Sequence, residues 1–469
     1  MATSNKKHRK KRKYRLVLPW KENAANNAAA IQPGVKKKKK KRRLRFDPRK
    51  IRFKKPNFEK ILWALKHLRK EVWFAIAGVV ALICLITIPR AVETNKLKKL
   101  GYDKETIAAI REQKLAKTLI DNQWYSDYLA SCLKSKTVNT DYLELYTVIE
   151  GEKYLDDTDF LMVNRLRDIG YEEDQILNLY KNLRFVELTP LLCYDYQLIE
   201  QNYIDDCLNH PENDRTTFVL SNSYRKPYEI TYAADPSKTS MLVNKTWYLD
   251  ESYVPANLTD LSMQCGAAGT RLAKEAADAM EEWAAAGREM NLAFYAISAY
   301  RTYDSQKTLY DNYVTSHGQE QADRESARPG FSEHQTGLTV DVTATGDESK
   351  DFSETSAFIW ASANCADYGW ILRYPEGKED ITGYEYESWH YRYLGKELAQ
   401  AVTKTGMTYD EFWNLYLKPW SDENNIPSES ILANTDWHNL LKEPEPAPAE
   451  GEASSEASAE AAPSASPAN

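Results

Sequence analysis

The sequence predicts an α+β fold for its C-terminal half, preceded by one transmembrane helix and a helical region. Three observations lead there. Short strand-like stretches at 294–298, 338–342 and 389–393 stand near an amphipathic helical stretch at about 270–286. A run of 17 uncharged residues, Val72 to Ile88 (VWFAIAGVVALICLITI), lies near the N-terminus. Residues 95–215 read as helical and acidic. At 469 residues the chain exceeds one ordinary domain, and two or three are expected.

Charge divides the chain at the apolar run. Residues 1–70 hold 27 of the 62 Lys and Arg but 3 of the 68 Asp and Glu, a net of +24. The remainder, with 35 basic and 65 acidic residues, carries −30, which leaves −6 for the whole. Such asymmetry implies that the two parts work in different surroundings. The run is at the short end of the roughly 17–25 residues that cross a bilayer. A core helix would rarely be apolar all round directly after so basic a segment. A cleaved signal peptide would have a shorter basic region and a small-residue cleavage site. We therefore expect a span at 72–89, with the basic, disordered segment 1–71 in the cytoplasm and the rest of the chain outside. The basic residues, Lys36 to Arg43 among them, are then expected to contact anionic lipids of the inner leaflet, at about 1 kcal/mol per residue near the surface. Nucleic acid is not expected as a partner, because the remainder is acidic. Ile61, Leu65 and Leu68 suit a short amphipathic helix leading into the membrane.

Beyond the span, residues 90–215 are expected to be a helical spacer. Leu100-Gly101-Tyr102-Asp103 through Ile107 is echoed 69 residues later by Ile169-Gly170-Tyr171-Glu172 through Ile176. In each, Gly-Tyr-acid suits a turn into a helix whose apolar face starts at the isoleucine. Residues 216–240 form a linker, 241–405 the compact domain, 406–442 a helical extension, and 443–469 a tail of Ala, Ser, Pro and Glu that is disordered by composition. Within the domain, Leu272, Ala276, Met280 and Trp283 share one helical face, with Gly287 just past the expected helix end. Leu338, Val340 and Val342 alternate with Thr339 and Asp341. Cysteines are too few for a disulfide framework, although Cys265–Cys365 is a candidate pair in an oxidising exterior.

The chemistry concentrates in Ser332-Glu333-His334-Gln335-Thr336-Gly337-Leu338-Thr339-Val340-Asp341 and in Glu387-Ser388-Trp389-His390. His334 is followed by Gly337, which permits close backbone approach, and by Asp341 seven residues on. His390 lies in an aromatic strand whose alternation turns it to the same side as Arg392. Two histidines and one aspartate suit Zn2+, leaving a coordination position open for water. Glu387, three residues before His390, is then the candidate general base, brought beside the metal by a turn. Arg301, just after a strand, is placed to hold an oxyanion or a substrate carboxylate.

Three ordered elements resemble the VanY-type zinc D-alanyl-D-alanine carboxypeptidases of the M15 peptidases. Ser298, Tyr300, Arg301, Thr302 and Gln306 meet the first; Ser332, His334, Gly337 and Asp341 the second; Glu387, Trp389, His390 and Arg392 the third. The resemblance covers about 241–400. It implies a compact zinc-peptidase domain with an antiparallel sheet and flanking helices, and one Zn2+ on His334, Asp341 and His390. It implies Glu387 as base and Arg301 as clamp, with Ser298, Tyr300, Gln306, Ser332, Trp389 and Arg392 on the substrate side. Its substrates would be peptidoglycan stem peptides, trimmed of a terminal D-Ala at the surface of a Gram-positive-type bacterium. An L,D-carboxypeptidase or other peptidoglycan peptidase of the same fold, and a non-catalytic cell-wall-binding protein, are the alternatives. Thr302, Thr339 and Ser388 depart from the family pattern close to these motifs, where substrate preference is expected to be decided. The serine-peptidase patterns Ser131-Cys132-Leu133-Lys134, Ser362-Ala363-Asn364 and Lys404-Thr405-Gly406 also occur. They are too short and too far apart to compete.

Overall fold

The computed structural model describes residues 59, 63, 66, 70–149, 154–194, 197–211, 227–344, 351–420 and 432–442. The basic segment up to 58, most of the expected amphipathic helix and the tail from 443 lie outside the described residues. The chain divides at Cys84 into two units, Met1–Cys84 and Leu85–Asn469. Helix α1, Lys70–Leu100, contains the apolar run and continues past Pro89. From Val72 to Leu100 it is long and apolar enough to cross a membrane, with an 18-residue window of mean hydropathy 2.5.

In the second unit the 69-residue echo is a repeated corner between helices. Gly101 and Gly170 have φ of 121° and 109°, which L side chains rarely adopt. Each donates its N–H back into the preceding helix, to Lys98 O (3.2 Å) and Arg167 O (2.9 Å). The next residues, Tyr102 and Tyr171, donate to Leu97 O and Leu166 O, which completes a Schellman-type close in both copies. Both tyrosines are buried. The acid that follows starts a new helix. Asp103 caps α2 (Lys104–Glu112) by accepting from the Thr106 N–H at 2.6 Å. Helix α3 (Asp157–Ile169) leads through the second corner to α4 (Glu173–Asn182), where Gln175 accepts from the Glu172 N–H at 2.9 Å.

The helical region does not stand apart as a spacer. Its core, with Leu97, Ile110, Leu119, Leu166 and Leu179, continues without a break into Leu242, Ile371, Leu394, Leu398, Tyr409, Phe412 and Leu415. Polar clamps reinforce the contact. Buried Arg165 donates to Leu415 O (2.8 Å) and Lys418 O (2.6 Å), and Thr189 Oγ1 donates to Glu411 Oε1 (2.8 Å). The helices therefore form a layer packed on the sheet domain.

That domain is α+β. Two strand pairs lead in: β1 (Tyr232–Ala233) parallel to β2 (Trp247–Tyr248), and β3 (Leu258–Asp260) antiparallel to β4 (Arg271–Ala273). The main sheet is antiparallel in the order β5-β6-β8-β7, from β5 (Tyr295–Ser298), β6 (Thr339–Thr343), β7 (Trp370–Tyr374) and β8 (Glu387–Tyr393). Helix α5, Lys274–Glu289, buries Ala276, Met280 and Trp283 against Phe294, Val340, Trp370 and Tyr391. It starts and ends later than its periodicity predicts. Residues 271–273 are taken by the pairing with β3, and Gly287 lies inside the helix against the Phe294 ring. Further helices of this region include α6 (Tyr303–His317), α7 (Lys396–Thr405) and α8 (Tyr409–Phe412). Cys265 and Cys365 are both free and buried, which corrects the expected pairing; Cys365 Sγ instead donates to Ser362 O at 3.3 Å.

The two corners differ in one respect that can be measured. A methyl group at Gly101 would sit 2.7 Å from the Tyr125 ring, whereas at Gly170 it meets nothing closer than 3.9 Å. Gly170→Ala should cost about 1 kcal/mol from backbone strain alone. Gly101→Ala should cost at least twice that in urea unfolding of the full-length protein, because the ring must also move.

Candidate metal centre

Strand register assembles the centre. Ser298 pairs with Asp341, and Asp341 pairs with His390, so β5, β6 and β8 set three polar residues in one row. Between Leu372↔Tyr391 and Tyr374↔Glu387 the pairing shifts, with β8 taking four steps where β7 takes two. The bulge lets Glu387 and His390, three residues apart, turn to one side, with Glu387 Oε2 3.2 Å from His390 Nδ1. A bulged strand thus does what the sequence reading assigned to a turn.

His334 comes from the 3-10 turn Glu333–Thr336, opened by Ser332, whose Oγ accepts from the His334 N–H at 3.3 Å, and closed by Gly337. The turn is tied down on both sides. Arg301 N–H donates to His334 O (3.1 Å) and Ala273 N–H to Gly337 O (2.8 Å).

The three donors converge, with one ligand atom from each of His334, Asp341 and His390 lying within 4.8 Å of the others. His334 Nε2 is 3.2 Å from Asp341 Oδ2, and His390 Nδ1 is 3.1 Å from Asp341 Oδ1. The far nitrogen of His334, Nδ1, is engaged by Ala299 O at 2.7 Å, so Nε2 is its inward donor. Asp341 Oδ1 is buried without a hydrogen-bonding partner. Two imidazoles, one carboxylate and an orphaned carboxylate oxygen fit a zinc ion.

The electrostatics agree. Burial pulls His334 below its usual range, which favours the neutral imidazole a metal requires. Burial alone would raise Asp341, but the His334 and His390 rings reverse that and hold it well below the carboxylate range. Burial raises Glu387, with Asp341 adding to the effect. Burial would lower His390, yet the carboxylates of Asp341, Glu333 and Glu387 around the ring favour its protonated form and hold it well above the usual imidazole range. Three carboxylates around one ring make this a site short of positive charge.

The remaining expected site residues separate by position. Arg301 lines a cavity of ≈ 140 Å³ with the three donors, Glu387, Gln306, Ser332 and Trp389. Its two terminal nitrogens donate to Gln306 Oε1 and Ser298 Oγ, both at 2.8 Å, and Nη2 lies 3.8 Å from Asp341 Oδ2. Ser298 thus holds the arginine without lining the cavity. Tyr300 lies outside the cavity wall, its ring under the Arg271 guanidinium at 5.7 Å. Arg392 is corrected as a substrate contact. It does turn to the side of His390, but it is fully buried beneath the centre, bonded to Glu333 (3.0 Å), Thr239 O (2.9 Å) and Met241 O (2.8 Å). The departures from the family pattern do not line the cavity. Thr302 caps α6, Thr339 is fully buried on the strand face it shares with Asp341, and Ser388 donates to Asp351 Oδ1 at 2.9 Å. Residues unassigned in the sequence reading share the wall: Leu309, Tyr313, Glu325, Ser326, Ala327, Glu333, Tyr374 and Tyr384.

Comparison with known proteins gives a consistent picture. Residues 269–396 match the VanY family model, described as D-alanyl-D-alanine carboxypeptidase. YodJ of Bacillus subtilis (strain 168) is 34% identical over 225 residues, 46% of this chain and 82% of that protein. The bifunctional D-Ala-D-Ala dipeptidase and D-Ala-D-Ala carboxypeptidase VanXYC of Enterococcus gallinarum is 36% identical over 121 residues, 25% of this chain and 64% of that one. Among solved structures, the LD-carboxypeptidase LdcB aligns with a TM-score of 0.37 and 36% identity, over 39% of this chain and 88% of its own.

The raised affinity of His390 for a proton has a direct consequence. A metal ion taken up by this ring has to compete with a proton that it holds more tightly than a free imidazole does. Zinc binding should therefore tighten as pH rises through the neutral range and release about one proton per ion. Calorimetry at pH 7 in two buffers of unlike ionisation enthalpy measures this number directly.

Proposed function

Because the chain belongs to the VanY family of D-alanyl-D-alanine carboxypeptidases, we propose that it is a membrane-anchored zinc enzyme that removes the terminal D-Ala from peptidoglycan stem peptides outside the cell. The observation that carries this reading is the convergence of His334, Asp341 and His390, with Glu387 and Arg301 on the wall of the same cavity.

His334, Asp341 and His390 would hold a Zn2+, which would supply the Lewis acidity that makes water nucleophilic near neutral pH. Glu387, beside the donor atoms, takes a proton from the attacking water and passes it to the departing D-Ala amine. Its burial suits that task, since a base with raised proton affinity keeps the proton between the two events. Arg301, braced by Ser298 and Gln306, offers a fixed positive charge to the substrate's terminal carboxylate or to the oxyanion that forms beside it. Trp389, Leu309 and Tyr313 supply the apolar wall against which the peptide lies. Helix α1 anchors the enzyme as a single-pass protein, and the basic residues before it engage anionic lipid on the cytoplasmic side.

The test uses full-length protein in detergent, with zinc or with chelator, on muropeptides ending in D-Ala-D-Ala and on tetrapeptides ending in a single D-Ala. Zinc-dependent release of D-Ala from the first defines a D,D-enzyme and from the second an L,D-enzyme. Release from neither would sink the proposal. Glu387→Gln should keep its zinc and lose roughly 10²–10⁴-fold in turnover. For the anchoring, protease added to intact cells should digest the chain beyond Arg90, and protection of that region would reverse the orientation.

A further inference from the structure

Glu333 stands between two residues with assigned roles, Ser332 and His334, and its side chain is fully buried. One carboxylate oxygen, Oε1, accepts from Arg373 Nε at 2.9 Å and from Arg392 Nη1 at 3.0 Å. Both guanidiniums are themselves fully buried and held elsewhere. Arg373 Nη1 donates to Asp410 Oδ2 at 2.6 Å, and Arg392 Nη2 donates to Thr239 O and Met241 O. Two arginines thus fix one oxygen and leave the other, Oε2, aimed at the metal centre.

There it faces the outer nitrogen of His390. Glu333 Oε2 and His390 Nε2 are 3.6 Å apart, and each is buried with no hydrogen-bonding partner. That separation is slightly longer than a hydrogen bond, and a small rotation of the imidazole closes it. Buried polar groups find partners, and each of these two stands within reach of the other. The opposite nitrogen, Nδ1, meanwhile points at Asp341 Oδ1 and Glu387 Oε2. His334 shows the same division, with one nitrogen inward and the other held by Ala299 O.

Building on the reading of His334, Asp341 and His390 as metal ligands, we infer that Glu333 is a positioning residue for His390. It accepts the Nε2–H and thereby presents Nδ1, with its lone pair, to the metal. Ala299 O does the same for His334 as a neutral acceptor, whereas Glu333 brings a full negative charge held in place by two arginines. It fixes the ring's tautomer as well as its direction, and the negative charge makes the bound imidazole a stronger donor.

The inference predicts what an amide in this position does. In Glu333→Gln the side-chain oxygen is retained by Arg373 and Arg392, which leaves the NH2 facing His390. The ring then has to accept at Nε2 and carry its proton on Nδ1, the tautomer that cannot bind metal. The variant leaves the two buried arginines one carboxylate short, so its zinc affinity is read on protein whose circular dichroism matches that of the unaltered chain. Zinc affinity of full-length protein in detergent, measured by competition with a chelator, should fall 10–100-fold in Glu333→Gln. An affinity within twofold of the unaltered protein would overturn the inference. A second measurement needs no variant. In 15N-histidine-labelled, zinc-loaded protein, long-range 1H–15N spectra should show His390 protonated at Nε2, and protonation at Nδ1 would overturn it. If the unaltered protein binds no zinc, the ligand assignment itself fails, and this inference with it.

Discussion

Four charged side chains sealed from water, Glu333, Arg373, Arg392 and Asp410, hold this protein together at the point where its parts meet. Two carboxylates balance two guanidiniums, so the cluster is neutral, but each ion has given up its hydration and must recover it from fixed partners. That requirement constrains the backbone from several directions at once. Arg373 comes from β7 and Arg392 from β8. Glu333 comes from the turn that carries His334, and Asp410 from α8. Main-chain carbonyls at Thr239, Met241 and Tyr393 accept from other donors of Arg392. Asn244 donates to the other oxygen of Asp410 at 2.7 Å. Removing one member would leave an unpaired charge in a dry interior, which costs far more than the intact cluster contributes.

The centre above this cluster shows the complementary arrangement. Below, every positive charge has its counterpart. On the cavity side, Asp341, Glu387 and the free oxygen of Glu333 surround two imidazoles, with Arg301 held off at 3.8 Å. The imbalance is local, and a divalent cation is the chemical species that relieves it. Rigidity and reactivity are thus separated by one layer of side chains, with Glu333 belonging to both.

Much of the centre was legible in the chain because short-range spacing and strand alternation carry it. His334 and Asp341 are seven residues apart across a turn and a strand, and Glu387 and His390 share one strand. The family motifs named each of them. The three-residue offset of Glu387 from His390 pointed to a turn, because a β-bulge is invisible until the partner strand is in place. Arg392 illustrates a further limit. Alternation assigned its side correctly, but depth depends on what packs over the strand, here residues 239–241 and α8, which are remote in sequence. Glu333 went unassigned for the same reason: its partners lie 40 and 59 residues away. In the fold, local rules found the Gly-Tyr-acid corners, since both are closed by hydrogen bonds within a few residues. They could not reveal that the helical region and α7 share one core, because amphipathicity states that a face is buried and not against what.

That shared core bears on how the enzyme can be distributed in space. Many surface enzymes are released from cells when a protease cuts the stalk that tethers them, and the freed domain goes on working in the medium. Here a cut between the helical layer and the sheet would strip cover from Leu394, Leu398, Val402, Phe412 and Leu415, all buried within one continuous apolar cluster. The liberated piece would carry a sticky face and a loosened α8, whose Asp410 steadies the arginine behind the metal centre. The helical layer and the sheet domain are therefore expected to survive proteolysis together or not at all.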